Sequence, residues 1–598
     1  MRSHTLLALL LFAFCLTGCQ GWFSPISANS QSPDDQEQQP LDSVTLVDNV
    51  AVAFGRDRID VEGVGLVVGL PGTGGNPEPS VYRSQLLEEM KKREVDQPEK
   101  LLADTSTALV IVRGVIRPGM ERGDSFDMEV KIPGGSSATN LRGGFLMPTR
   151  LTEVAIAGGS LRRGTLLALG EGYVLVDPSA DKADALRGRV LGGGKCLKPH
   201  DLGLVLRPEF QTVSYSAQVG EAANRRFHTF RSGTKEEVAN PKSNEFIELA
   251  IHPHYKHNVA RYLRVVGALP LRESPTDRIE RLDRLQQQLH TPAEAARAAL
   301  ELEAIGNDAI PALVSGLNSP YAEVRFYAAE ALAYVDDVKT KRDAAAALGE
   351  AAREHPAFRI YALTALASMN DADAYAELTK LLHVPSAETR YGAFRSLWAM
   401  NPNDVLVRPD EALKDKFAYH LISSGGAPMI HITTSFRPEV VVFGQHVQLM
   451  TPFILDAGAE IVVRGQRDGS VLVSKISLNE PEQKRLISNN VDEVVRTIAE
   501  LGGQYHDVVE LLQEANQRSL LSNNCRLEVD ALPQPGRRFT PEGAQVEVAA
   551  GGSAARNSPS LFAGFQESND DDEYAETTYV TPPPKKRGFW SRMFSWND

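Results

Sequence analysis

Cysteine is scarce in this chain, with four in 598 residues. Cys15 and Cys19 lie close to the N-terminus, and the remaining two, Cys196 and Cys525, show no Cys-x-x-Cys spacing, which excludes a thiol redox motif. No Gly-x-Ser-x-Gly elbow occurs, so a serine nucleophile of the hydrolase type is excluded as well. The N-terminal apolar run, Leu6 to Leu16, is too short to cross a bilayer as a helix. Positive charge is in deficit: 63 Lys and Arg stand against 77 Asp and Glu, a formal net charge of −14. With no basic stripe in the folded part, that balance repels nucleic acid.

What is present points to a large extracytoplasmic protein. The length predicts three or four domains, and 42% apolar with 23% charged residues is the composition of a globular chain. Residues 1–18 read as a signal peptide, with Arg2 as the basic region and Leu6 to Leu16 as the apolar core. The ending Leu16-Thr-Gly-Cys19 resembles a lipobox, which implies acylation of Cys19 and anchoring to a membrane; Gln20 after it is similar to lipoproteins sent to the outer membrane. The alternative is an ordinary secretory signal with Cys19 incidental. Residues 19–43, rich in Ser, Pro, Gln and Asp, form a solvated tether. Outside the cytoplasm, Cys196 and Cys525 either pair or stay as two separately buried thiols, and the sequence leaves both open.

From 44 to 271 the pattern is β-rich: Leu109 to Ile116 is a continuous apolar run, Phe126 to Ile132 alternates, and Gly172 to Val176 is a further short run. Helices are predicted at Ser84–Glu94 and Val213–Arg226, so the fold class is α+β. The most informative stretch is Val61-Glu-Gly-Val-Gly-Leu-Val-Val-Gly-Leu-Pro-Gly-Thr-Gly-Gly75, an apolar strand entering a Gly-rich turn. A phosphate-binding loop needs Lys and Ser or Thr after its last glycine. Here Gly75 and Asn76 stand there, so a nucleotide site is excluded.

Residues 272–405 are Ala- and Leu-rich and repetitive. Val324-Arg325-x-x-Ala328 with Leu332, Phe358-Arg359-x-x-Ala362 with Leu366, and Thr389-Arg390-x-x-Ala393 with Leu397 share one spacing. This is similar to HEAT repeats, helix pairs that bury their apolar faces by stacking. Residues 406–532 return to strands (430–434, 439–443, 459–464, 470–474 and 526–529) around two helices that meet at Gly502-Gly503. Residues 533–598 read as a disordered tail. It ends in Lys585 to Trp596, where Phe589, Trp590, Phe594 and Trp596 beside basic residues suit a membrane interface or a protein groove.

The wording Gly65-Leu-Val-Val-Gly69-Leu-x-Gly72-Thr73-Gly74 resembles the opening signature of the bacterial flagellar basal-body P-ring protein family. The likeness continues in the family's order. Ile116-Arg-Pro-Gly to Val130 comes next, then Asn140-Leu-Arg142-Gly143-Gly144 to Thr149, Leu202-Gly-Leu-Val-Leu-Arg-Pro-Glu-Phe-Gln-Thr212, and Ile247 to Val259. The two helices and last strand of 491–529 look like the family's C-terminal end, which makes the repeats an insertion. The resemblance implies a structural, non-enzymatic subunit without cofactor. Subunits of that family assemble with one another into a periplasmic ring around the rod, in contact with peptidoglycan and other basal-body rings. The alternative is an outer-membrane-anchored adaptor lipoprotein that binds partners through its repeats.

His252, His254 and His257 form the one cluster with metal-ligand character, since alternate residues of a strand, 252 and 254, point the same way. Glu248 is the only near carboxylate and no Cys is close, so the expectation is no metal site.

Overall fold

The computed structural model describes residues 44–157, 160–177, 184–231, 234–477, 481–522, 524–534 and 559–562. The signal segment, Cys19, the tether and the basic and aromatic residues near 585–596 lie outside them.

A short helix, α1 (Val47–Val50), leads into strand β1 (Ala51–Phe54) and then β2 (Ile59–Val68). β2 is buried almost throughout its second half, although antiparallel strands commonly alternate. The reason is that both its faces are covered. Val61 and Val67 point into a closed barrel, while Val64 and Leu66 pack outward on α2 (Val81–Lys92) and α3 (Pro98–Leu102) through Leu86, Met90 and Leu102. β3 (Ala108–Ile116) repeats the arrangement, with Val110 and Val112 inside and Leu109 outside. β4 (Ser125–Lys131), β5 (Phe145–Ala157), β6 (Ser160–Tyr173) and β7 (Arg187–Cys196) complete the barrel in the order β2-β3-β4-β7-β6-β5, every pair antiparallel. Closure leaves no free edge. The run expected at Gly172–Val176 is different: Gly172 takes φ +145°, β6 ends at Tyr173, and Val174 to Val176 continue as buried connecting chain held by the Leu175–Arg189 bridge.

The barrel is inserted between β1 and β8 (Leu202–Leu206) of an antiparallel sheet, β1-β8-β12-β11. Here α4 (Val213–Arg226) is capped by Thr212, whose hydroxyl accepts from the Tyr215 N–H, and it buries Val219, Ala222 and Ala223. A hairpin of β9 (His228–Arg231) and β10 (Thr234–Glu237) precedes β11 (Ala239–Pro241), β12 (Phe246–Leu249) and α5 (Val259–Gly267).

Eight helices follow: α6 (Pro275–Leu289), α7 (Pro292–Ile305), α8 (Ile310–Leu317), α9 (Ala322–Val335), α10 (Lys341–Glu354), α11 (Pro356–Met369), α12 (Ala372–Leu381) and α13 (Ala387–Met400). They stack in two rows, α7-α9-α11-α13 against α6-α8-α10-α12. In α11 every residue but Pro356 and Arg359 is buried, as a helix that is apolar all round must be. Phe358 stacks on Phe326 of α9 with centroids 4.2 Å apart. The three arginines of the repeated spacing start equivalent helices of one row and do equivalent work on the chain before or beside them. Arg325 donates to the Ser319 and Pro320 carbonyls, Arg359 to that of Ala352 and Arg390 to that of Ala427.

The last part holds two sheets. One is β13-β15-β14-β20, built from β13 (Ala418–Ile422), β14 (Met429–Ile432), β15 (Glu439–Phe443) and β20 (Arg526–Val529), with parallel outer pairs. The other is an antiparallel meander of β16 (Phe453–Ala457), β17 (Ile461–Gly465), β18 (Ser470–Lys475) and β19 (Gln483–Ser488). Helices α14 (Val491–Glu500) and α15 (Tyr505–Gln517) share one core with both.

The stack's core is continuous with that of the first sheet, so its central aromatic pair bears on both. Phe358→Ala should cost about 3–5 kcal/mol through lost burial and an unfilled cavity, read as a lower urea midpoint with unchanged slope.

Candidate functional site

The motif residues gather at one end of the barrel. After β2 the chain turns at Gly69 (φ +77°) and Gly72 (φ +79°), backbone conformations that glycine adopts without strain. A Cβ on Gly74 would stand 2.2 Å from the Thr107 carbonyl oxygen, and one on Gly65 2.6 Å from Thr149 Oγ1. The loop runs alongside residues 105–107: Leu70, Gly72, Gly74 and Gly75 donate their N–H groups to the carbonyls of Ser106, Leu70, Thr105 and Thr107. A phosphate cradle needs those donors free, so the loop is a sealed barrel end.

Thr73 joins it to the second motif. Its hydroxyl donates to the Asn140 carbonyl at 2.8 Å, and its own carbonyl accepts from the Thr139 N–H. Gly143 turns at φ +75°, and Gly144 sits so close under Val67 and Leu70 that a Cβ would meet Val67 Cγ1 at 2.3 Å. Arg142 reaches out of this turn to Glu510 of α15, 3.3 Å away, and donates to the Asp177 carbonyl. The two motifs are thus one packed unit, touching the C-terminal module.

A second constellation lies where the first sheet meets the stack. Arg261 of α5 is buried with two carboxylates, Glu303 of α7 at 2.5 Å and Glu330 of α9 at 2.6 Å. The Tyr255 hydroxyl donates to Glu303 at 2.6 Å, and its ring stacks on Tyr334, over which the Arg261 guanidinium also lies. Burial alone would lower the Arg261 pKa; the two carboxylates more than offset it and hold the group charged. Tyr255 and Asn258, the latter capping α5 by accepting from the Arg261 N–H, belong to the 247–259 motif. The partner carboxylates lie in helices of Ala-rich sequence, where nothing in their spacing sets Glu303 or Glu330 apart from solvated glutamates.

A third constellation joins the stack's last helix to the C-terminal sheet. Glu439 of β15 accepts from Tyr391 at 2.6 Å and from Arg395 at 3.2 Å, with Arg437 at 3.9 Å. Burial would raise its pKa, but Arg395, His420 and Arg437 hold it well below the usual carboxylate range. His431 stacks on Tyr391 at 3.7 Å. The barrel is tied in by Asp127, which accepts from the Gly192 N–H at 2.7 Å and from the Phe436 N–H.

The histidines differ from expectation. His252 caps and His254 lies within a single 3₁₀ turn, Pro253–Tyr255, so they do not alternate on a strand. Their rings lie 5.2 Å apart edge to face, with His254 facing Asp336 at 3.8 Å, while His257 faces Lys256 and Arg395. Among the described residues no group of three or more His, Cys, Asp and Glu side chains converges to hold a metal. Of the two alternatives left open for Cys196 and Cys525, the structure has the separate thiols. Both are free and buried, Cys196 in the barrel core and Cys525 in the C-terminal core, and burial pushes each thiol up to about 11.

Acid should loosen this region. Burial, with His254 and Arg226 nearby, lowers His252 to about 4, and burial, with Lys256 and Arg395, lowers His257 to about 4. The unfolded chain therefore takes up protons first, and stability contributed by the neutral rings is full above about pH 6.5 and lost as pH falls toward 4. A His252→Gln, His257→Gln variant should show a smaller drop in Tm between pH 7 and pH 4.5 than the parent; equal drops would contradict the assignment.

Residues 47–281 match the family profile described as Flagellar P-ring protein. Flagellar P-ring protein 1 of Chromobacterium violaceum is 32% identical over 223 residues, 34% of this chain and 56% of that protein. The Flagellar P-ring protein of Bradyrhizobium sp. is 27% identical, covering 36% of this chain and 59% of that protein, and that of Thermotoga maritima is 27% identical, covering 39% and 69%. The chain thus spans a little over half the length of the first two, and the profile match ends before the helical stack is complete. Over residues 47–281, from the first sheet and its inserted barrel into the first helix of the stack, this chain is similar to the flagellar P-ring proteins.

Proposed function

We propose that the chain is a structural subunit of the flagellar basal body, assembling with its own copies into a periplasmic P-ring around the rod. The observation that carries this is the matched region itself. Its motif glycines and Arg142 close a barrel end at which the Gly72, Gly74, Gly75 and Gly144 N–H groups donate inside the protein, so these residues supply shape and rigidity rather than reagents. A head-to-tail contact between such rigid subunits closes into a ring when its rotation closes. In this reading the helical stack and the C-terminal module add surface toward neighbouring ring, peptidoglycan or envelope components. Acylation of Cys19 adds attachment to the outer membrane.

Deleting the gene should remove a periplasmic ring density from purified basal bodies seen by electron microscopy and should abolish swimming. Intact basal bodies in the deletion strain would contradict the ring role. The same preparation grown with labelled palmitate should show label in the parent protein and none in Cys19→Ser.

A further inference from the structure

Four residues of the segment read as a disordered tail are firmly seated. Pro559–Phe562 form a 3₁₀ turn whose Leu561 and Phe562 are only 4% and 5% exposed. Together with Tyr391 and Arg395 of α13, Thr433, Ser435 and Phe436 before β15, and Leu532 after β20, they line one small groove. The Ser560 N–H donates to the His257 carbonyl at 2.9 Å.

The groove combines apolar residues, Phe436 and Leu532, with polar ones, Thr433, Ser435 and Arg395. Its walls are held by contacts outside the segment: Glu439 holds both Tyr391 and Arg395, and Asp127 holds the Phe436 backbone. Phe562 is in van der Waals reach of α13, its ring 3.7 Å from where a Cβ on Gly392 would stand. The segment touches the first sheet's unit through His257, the stack through α13, and the C-terminal module through Ser435 and Leu532. Pro533, where the preceding chain leaves, lies against the same Gly392. Pro533 and Phe562 thus meet at one place, which gives an intramolecular ligand a high effective concentration.

We propose that this groove is a binding site for a short Ser-Leu-Phe peptide, filled by the chain's own residues 559–562, and that this clasp fastens the three units at the point where they meet. The clasp is separable from the groove, because the walls are held by contacts that do not involve it.

The test is a full-length Leu561→Ala, Phe562→Ala variant and a fluorescein-labelled peptide of residues 555–566. The variant should bind the peptide in fluorescence polarisation at least tenfold more tightly than the parent, whose groove is occupied, and a peptide carrying the same two alanines should not bind. A folded variant that binds no peptide, or binds it no better than the parent does, would overturn the proposal. Should the variant fail to fold, hydrogen exchange on the parent decides. Excess peptide should speed exchange at Ser560 and its neighbours by competing for the groove, and unchanged exchange would overturn it. Occupancy by the same segment from a second copy, seen as exchange at Ser560 that slows as protein concentration rises, would place the occupant in trans and contradict the clasp.

Discussion

Much of this structure depends on one buried cation. Arg261 is almost wholly removed from water, a state whose desolvation costs several kcal/mol unless partners of opposite charge replace the lost hydration. Glu303 and Glu330 are those partners, and they arrive on two different helices of the stack. The first sheet's unit therefore carries a charge that cannot be buried stably by itself. The stack carries carboxylates with the complementary need. Tyr255 completes the arrangement by donating its hydroxyl to Glu303 and laying its ring on Tyr334.

The same device recurs at the other end of the stack with the signs exchanged. There the buried anion, Glu439, belongs to the C-terminal sheet, and its cations are Arg395 from α13 and Arg437 beside it. A helical stack inserted between two other units needs to be fixed to both. Apolar packing supplies area without direction, whereas an ion pair with shared hydroxyl donors has one geometry. The two knots set how the ends of the stack are docked, and Asp127 and Arg142 bring the C-terminal module back onto the barrel.

Much of this was legible in the residues. The β-rich start, the helical block between about 272 and 405 and the return to strands follow from apolar periodicity, and Glu439–Phe443 and Arg526–Val529 are strands at the expected bounds. The glycine motifs were legible as shape residues, because Gly72 and Gly143 take left-handed backbone and Gly74 and Gly144 leave no space for a Cβ. What stayed hidden depends on long-range pairing. A glutamate in an Ala-rich helix looks solvated until an arginine from another unit is known to face it, so Glu303 and Glu330 carried no signal. The histidine spacing suggested a strand, but Pro253 starts a 3₁₀ turn that sets the His252 and His254 rings edge to face. The tail's composition hid Leu561 and Phe562, two apolar residues with a groove to fill.

A double-mutant cycle on Arg261 and Glu303 tests most directly the claim that buried charge locks the stack to the P-ring-related part. Unfolding free energies would be measured for the parent, Arg261→Met, Glu303→Leu and the pair. Each single change should cost about 3–5 kcal/mol because it strands a buried charge. The pair should cost less than the sum by about 2 kcal/mol or more. Additivity within about 0.5 kcal/mol would mean the two residues act independently, and the account of the junction would fail.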